Sequence, residues 1–233
     1  MYNLGDQFTF DYSKAIANKE NIIQGDKYRF TVLSERLIRM EYSEEGFFEN
    51  RPTELVWYRN MPPVKFEKSE NSKYLQIKTK YFELNYVKNK SFAGSKLNPT
   101  ANLNVKLLNT DRVWYYNHPE VRNYGAPSFS LDDNAGDPKL QKSLYSVDGF
   151  VSIDDSNTNV FTESGVLEKK ESNSKDIYLF MYLKDFALCL KDYFSLTGYP
   201  NLIPRYALGN WWSRNTNYNE DQIKNLVNEF ELN

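Results

Sequence analysis

Residues 28–43 read YRFTVLSERLIRMEYS. Phe30 and Val32 alternate with their neighbours, and Leu37, Ile38, Met40 and Tyr42 follow a polar break at Ser34-Glu35-Arg36. A period of two sends successive side chains to opposite faces of a strand. The pattern therefore predicts two strands joined as a hairpin with one buried face. The same period spreads outward. Residues 55–58 predict a short strand, stopped by Met61-Pro62-Pro63. Residues 73–87, KYLQIKTKYFELNYV, alternate again, and Leu103, Val105 and Leu107 keep the beat. Residues 149–155 predict a short strand, and the apolar run IYLFMYL at 177–183 a buried one. Strands recurring every ~8–12 residues predict an antiparallel sandwich or barrel. Residues 86–98 read as an exposed link, and the Lys/Glu run at 168–171 as a solvated turn. Residues 118–176 are rich in Gly, Pro, Asp and Asn. They read either as a functional segment or as a decorated surface loop.

The period then changes. Asp185 caps a predicted helix whose stripe is Phe186, Cys189, Leu190, Tyr193 and Phe194, with Gly198 and Pro200 ending it. Cys189 on that stripe reads as a packed thiol. Residues 206–212, YALGNWW, predict a strand. Asn219 with Gln222 is a capping box opening a second helix with the face Ile223, Leu226, Val227, Phe230. A strand then a helix is half of a βαβ unit, so the sequence reads as cut within the first repeat of an α/β domain.

Composition narrows the function. With 29 basic and 31 acidic side chains the charge is balanced, which argues against a nucleic-acid partner. No apolar run is long enough for a membrane span. The first residues lack a basic stretch followed by an apolar one, so no signal peptide is expected. With a lone cysteine, this favours a cytoplasmic location. A single histidine, His118, excludes His-based triads and multi-imidazole zinc sites, and it reads as a loop residue. The aromatic content of 16% suits either a β-core or a sugar-stacking surface.

Residues 196–231, LTGYPNLIPRYALGNWWSRNTNYNEDQIKNLVNEFE, carry Leu196-Thr197-Gly198, Pro204-Arg205-Tyr206-Ala207-Leu208-Gly209 and Trp211-Trp212-Ser213-Arg214. This run resembles the start of the catalytic barrel in glycoside hydrolase family 31, the α-glucosidases and α-xylosidases. Upstream, Leu37-Ile38-Arg39-Met40-Glu41-Tyr42-Ser43, Phe48-Glu49-Asn50-Arg51-Pro52-Thr53, Val121-Arg122-Asn123-Tyr124-Gly125 and Ile153-Asp154-Asp155-Ser156 resemble further segments of that family in the same order. Tyr124, and Val147 within the similar run Tyr145-Ser146-Val147-Asp148-Gly149-Phe150, depart from its usual Leu and Arg.

The resemblance implies a mostly β chain. An antiparallel β-sandwich (galactose mutarotase-like) over 1–183 is followed by a linking helix and loop over 184–204. A truncated first βα unit of a (β/α)8 barrel occupies 205–233. It implies a retaining α-glucosidase acting on terminal α-linked glucose in an α-glucoside oligosaccharide, with no metal and no cofactor. The family's nucleophile and acid/base aspartates belong to later barrel strands, so no catalytic residue is expected here. Such an enzyme needs two carboxyls about 5–5.5 Å apart. The sequential pairs Asp132-Asp133, Asp154-Asp155 and Glu44-Glu45 do not converge on one bond. Trp211, Trp212 and Arg214, at the expected C-terminal end of the first barrel strand, are candidate sugar contacts. The other reading is rim packing and an ion pair. Asp132 is a candidate substrate contact through the 122–137 loop, or a turn cap. Two further readings stand beside the hydrolase fragment: a free-standing carbohydrate-binding module, and a structural part whose sandwich buttresses the barrel and forms oligomer contacts. The orphaned barrel segment adds the expectation of a homo-oligomer formed through it, or of a loosely held tail.

Overall fold

The computed structural model describes residues 12–94, 96–98, 100–127, 140–170, 174–209, 211 and 213–232. The chain forms two compact units, Met1–Tyr199 and Pro200–Asn233.

The first unit opens with β1 (Ile22–Gln24), β2 (Tyr28–Ser34) and β3 (Leu37–Tyr42). A meander follows: β4 (Glu67–Glu70), β5 (Tyr74–Lys78), β6 (Phe82–Val87), β7 (Leu103–Leu107) and β8 (Val113–Tyr115). Next come β9 (Ala126–Pro127), β10 (Leu140–Gln141), β11 (Val151–Asp154), β12 (Val160–Phe161), β13 (Leu167–Glu168) and β14 (Lys175–Phe180), and then helix α1 (Phe186–Thr197). One five-stranded sheet runs β1-β2-β3-β14-β11 and the other β4-β5-β6-β7-β8. Neighbouring strands pair antiparallel, so the sandwich expected from the alternation is present.

Alternation sets the interior. Phe30, Val32, Ile38, Met40 and Leu179 of the first sheet meet Ile77, Phe82, Leu84, Val105 and Leu107 of the second in one buried cluster. Phe82 lies opposite Leu107, Leu84 opposite Val105 and Tyr86 opposite Leu103, which keeps these pairs on one face. Much of the aromatic content is spent here: Tyr86 meets Phe30 edge-on at 5.3 Å and Phe92 at 5.5 Å. Phe92 is buried inside the stretch expected to be an exposed link.

The hairpin expectation needs a correction. Strands β2 and β3 are buried on both faces, not one. Leu33, Leu37, Tyr178, Phe180 and Tyr182 form a second cluster on the outer face of the first sheet, together with Val56, Cys189 and Leu196. The covering pieces are α1 and the 48–61 segment. That segment also explains why 55–58 is not a strand. Thr53 closes a turn on Val56, with Thr53 N–H donating to the Val56 carbonyl and Val56 N–H to the Thr53 hydroxyl, both at 2.9 Å. Trp57 and Tyr58 then donate to the Leu196 carbonyl at the end of α1, each at 2.9 Å. Those backbone groups are spent before any ladder can form.

The caps of α1 are as expected. Asp185 accepts from Leu188 N–H at 3.4 Å, and Gly198 turns at φ 91° with its N–H on the Phe194 carbonyl. Cys189 and Leu196 are buried and Tyr193 packs half-buried against them, while Leu190 stays exposed. Gly149 sits at φ 77°, and a Cβ there would meet the Leu183 Cα at 2.7 Å. Its carbonyl accepts from Leu183 N–H at 2.9 Å, tying the approach to β11 to the end of β14. We expect Gly149→Ala to lose more than about 1 kcal/mol in a denaturant titration, because both φ and contact forbid the methyl. A loss under half that would mean the turn relaxes freely.

In the second unit, helix α2 spans Glu220–Leu232. The capping box is formed in both directions: Gln222 N–H donates to Asn219 Oδ1 at 2.9 Å and Asn219 N–H to Gln222 Oε1 at 3.0 Å. The strand expected at 206–212 is not there among its described residues. A 3-10 turn covers Arg205–Leu208 instead. Ala207 N–H bonds the Pro204 carbonyl and Gly209 N–H the Tyr206 carbonyl, so local i→i+3 bonds replace a ladder.

Candidate functional site

The outer face of the first sheet carries a buried ion network. Four cations (Arg29, Arg39, Arg59, Lys170) and four carboxylates (Glu41, Glu49, Asp155, Asp176) lie buried there, and the partly buried Arg51 pairs with the Glu49 carboxylate at 2.9 Å. Arg39 grips Asp176 through two bonds of 2.8 and 2.7 Å, and Arg29 grips Glu41 through 2.6 and 2.8 Å. Both guanidinium groups also donate to the Glu49 carbonyl at 3.0 Å. Lys170 lies 3.1 Å from Asp176 and donates to the Asp155 carbonyl. Thr53 donates to Asp155 at 2.9 Å, and Arg59 to the Tyr178 hydroxyl at 2.6 Å. Lys170 is therefore not part of a solvated turn. The carboxylates beneath the sheet draw it in, since a buried charge must be paired.

The two aspartates titrate apart. Burial raises the Asp155 pKa, and the charge of Asp176 adds to it. Burial also opposes ionisation of Asp176, but the charge and hydrogen bonds of Arg39, helped by Lys170, outweigh it and hold that carboxyl well below the usual range. Asp154 is exposed and Asp155 is fully buried, so this sequential pair does not form a dyad. Glu44 is tied to Lys27 and Tyr42, each at 2.6 Å. Asp132-Asp133 lies outside the described residues. Burial pushes the Cys189 thiol up to about 12, with Asp192 and Asp185 adding to it, which suits a packed thiol and not a nucleophile.

Beside β8 and β11 lie two clefts of about 420 and 430 Å³ that share Trp114, His118, Pro119 and Glu120. Arg112, Arg122 and Asp148 line the first, with Arg122 paired to Asp148 at 3.0 Å. Lys142, Ser152 and Asp154 line the second. The mixed charges offer donors and acceptors together, which suits a neutral polyhydroxylated ligand better than a bare ion. Glu120 between them is already engaged by Trp114, Ser152 and Lys142. Among the described residues, no three His, Cys, Asp or Glu side chains are gathered as a metal site. No described helix is long and apolar enough to cross a membrane.

Of the residues singled out in the sequence, Trp211 and Arg214 lie exposed in the second unit, and Trp211 donates to the Ala207 carbonyl at 3.0 Å. Trp212 and Asp132 lie outside the described residues. Sequence reasoning missed Glu120, whose carboxylate joins β8 to β11. Its only local mark is the irregular His118-Pro119-Glu120 stretch. It also missed that residues 37–43, 48–53 and 153–156 converge. They supply Arg39, Glu41, Glu49, Thr53 and Asp155 to the one buried network.

No protein-family model matches this chain, and no curated protein sequence matches it. Among solved structures it is similar to a Flavobacterium johnsoniae dextranase of glycoside hydrolase family 31, complexed with glucose. The TM-score is 0.49 at 17% identity, covering 92% of this chain and 30% of that one. A mutant of the same enzyme complexed with isomaltotriose matches with the same figures. The chain thus spans under a third of the length of these neighbours.

Proposed function

We propose that this chain is the N-terminal part of a family 31 glycoside hydrolase, a retaining enzyme that hydrolyses terminal α-linked glucose. One observation carries the reading. Three of the segments that resemble the family, 37–43, 48–53 and 153–156, meet in one buried network beneath the first sheet, although the last lies about 100 residues from the others. Chance likeness gives no reason for such convergence. In this reading the sandwich supports a barrel, and the network holds the supporting face rigid. Trp211, Trp212 and Arg214 contact the sugar from the first barrel unit, and Asp132 reaches it from the 122–137 loop. Leu202, Tyr206, Leu208 and Trp211, all more than 70% exposed, are surfaces that later barrel elements or a second copy would cover.

The test compares the complete gene product with residues 1–233, using 4-nitrophenyl α-glucoside and isomaltotriose. We expect the complete product to release glucose with retained anomeric configuration, and residues 1–233 to give no turnover. The reading fails if the complete product hydrolyses no α-glucoside, or if residues 1–233 turn over by themselves.

A further inference from the structure

Among the described residues the two sheets leave four edge strands without a further strand partner: β1 and β11 in the first, β4 and β8 in the second. An open edge presents unpaired N–H and C=O groups, a template for another strand. Strands β1 and β8 are only three residues long. Strand β4 is Glu-Lys-Ser-Glu, exposed throughout, so charge guards it. Strand β11 has neither device. Its sequence is Val-Ser-Ile-Asp.

The bonding parity shows which groups of β11 face outward. The Gly149 carbonyl accepts from Leu183, and Asp155 N–H donates to the Asp176 carbonyl. Odd-numbered residues therefore pair toward β14, and Phe150, Ser152 and Asp154 face the open edge. There, Ser152 N–H donates to the Glu120 carboxylate at 3.0 and 3.2 Å. The Ser152 carbonyl accepts from Lys142 Nζ at 2.6 Å. Glu120 and Lys142 pair with each other at 2.7 Å. The Phe150 carbonyl accepts from the Ser146 hydroxyl at 2.6 Å. Trp114 of β8 holds Glu120 from the other sheet at 3.1 Å. A carboxylate and an ammonium thus occupy the two bonds that an incoming antiparallel residue would make with Ser152.

We infer that β11 is a latent strand-pairing edge kept closed by the Glu120–Lys142 pair, and that the occupant it admits when opened is β11 of a second copy. Antiparallel pairing about a twofold axis at Ser152 sets Val151 against Ile153 and Phe150 against Asp154. Two β-branched residues then face each other, and no like charges do.

The test is sedimentation of the full chain, native against the double variant Glu120→Ala/Lys142→Ala. We expect self-association to tighten at least tenfold in the double variant, and adding Ser152→Pro to reverse the gain. Proline removes the outward N–H without touching the β14 ladder. Reversal separates this contact from any association through Pro200–Asn233. Unchanged sedimentation of a folded double variant, or a gain that proline leaves intact, overturns the inference. Amide exchange of the native chain gives a second reading should the variant fail to fold. Ser152 is expected to be protected like the ladder amide of Ile153. Exchange of Ser152 at the rate of an open edge would overturn the clamp.

Discussion

Asp176→Asn is expected to destabilise the sandwich by about 3–5 kcal/mol, the range for breaking a buried ion pair by removing one partner. For a chain of this size that is a Tm drop of roughly 6–20 °C. Arg39 and Lys170 both rely on the Asp176 carboxylate, at 2.7 and 3.1 Å. An amide keeps the shape and removes the charge, so Arg39 and Lys170 lose the carboxylate charge they share. Adding Lys170→Met removes one of the two cations left without that partner. The double variant should therefore lose less than the sum of the single losses, by roughly 0.5–3 kcal/mol. Additive losses would show that this charge pairing is not what holds the network.

The pH dependence has a defined sign. Asp176 has a depressed folded pKa, so its contribution is present above the unfolded carboxylate value of about 4 and is lost as pH falls toward its own pKa. Asp155 is raised and runs the other way: its protonation favours the fold below its raised value, and that favour is lost as pH rises through it. Asp176→Asn should thus flatten the acid limb of the stability curve. An acid limb as steep as that of the native chain would place the titrating group elsewhere.

Phe30→Ala is the second large loss, about 3–5 kcal/mol. Phe30 has no exposed surface and touches Tyr28, Tyr86 and Phe92 at ring separations of 5.8, 5.3 and 6.0 Å. Both sheets close on that position, so the cavity cannot collapse by moving one element. Phe30→Leu, which keeps most of the volume, should lose clearly less. Equal losses from the two substitutions would assign the effect to ring contacts and not to the cavity.

Local rules in the sequence were enough for β2, β3, β5, β6, β7 and β14, for the caps Asp185 and Gly198, and for the Asn219–Gln222 box. Each depends on neighbours within a few residues, where periodicity and capping act. The candidate site was less legible. Trp211 and Arg214 were chosen by likeness to a barrel rim, whereas Glu120 carries its weight through Ser152, 32 residues away. Arg39 and Glu41 sit on a strand face that a lone hairpin would give to water. Tertiary structure buried that face by laying residues 48–61 and α1 across it, and Asp176, 137 residues from Arg39, then made the burial tolerable. Lys170 left the surface for the same reason. Residues 206–212 show the converse: their composition suits a strand, but among the described residues Ala207 and Gly209 bond back over three residues, to Pro204 and Tyr206. Sequence alone determined where the chain alternates, turns and caps. Which face is covered, which charges are paired and which edge stays open depend on contacts between distant segments, and only the tertiary structure decided them.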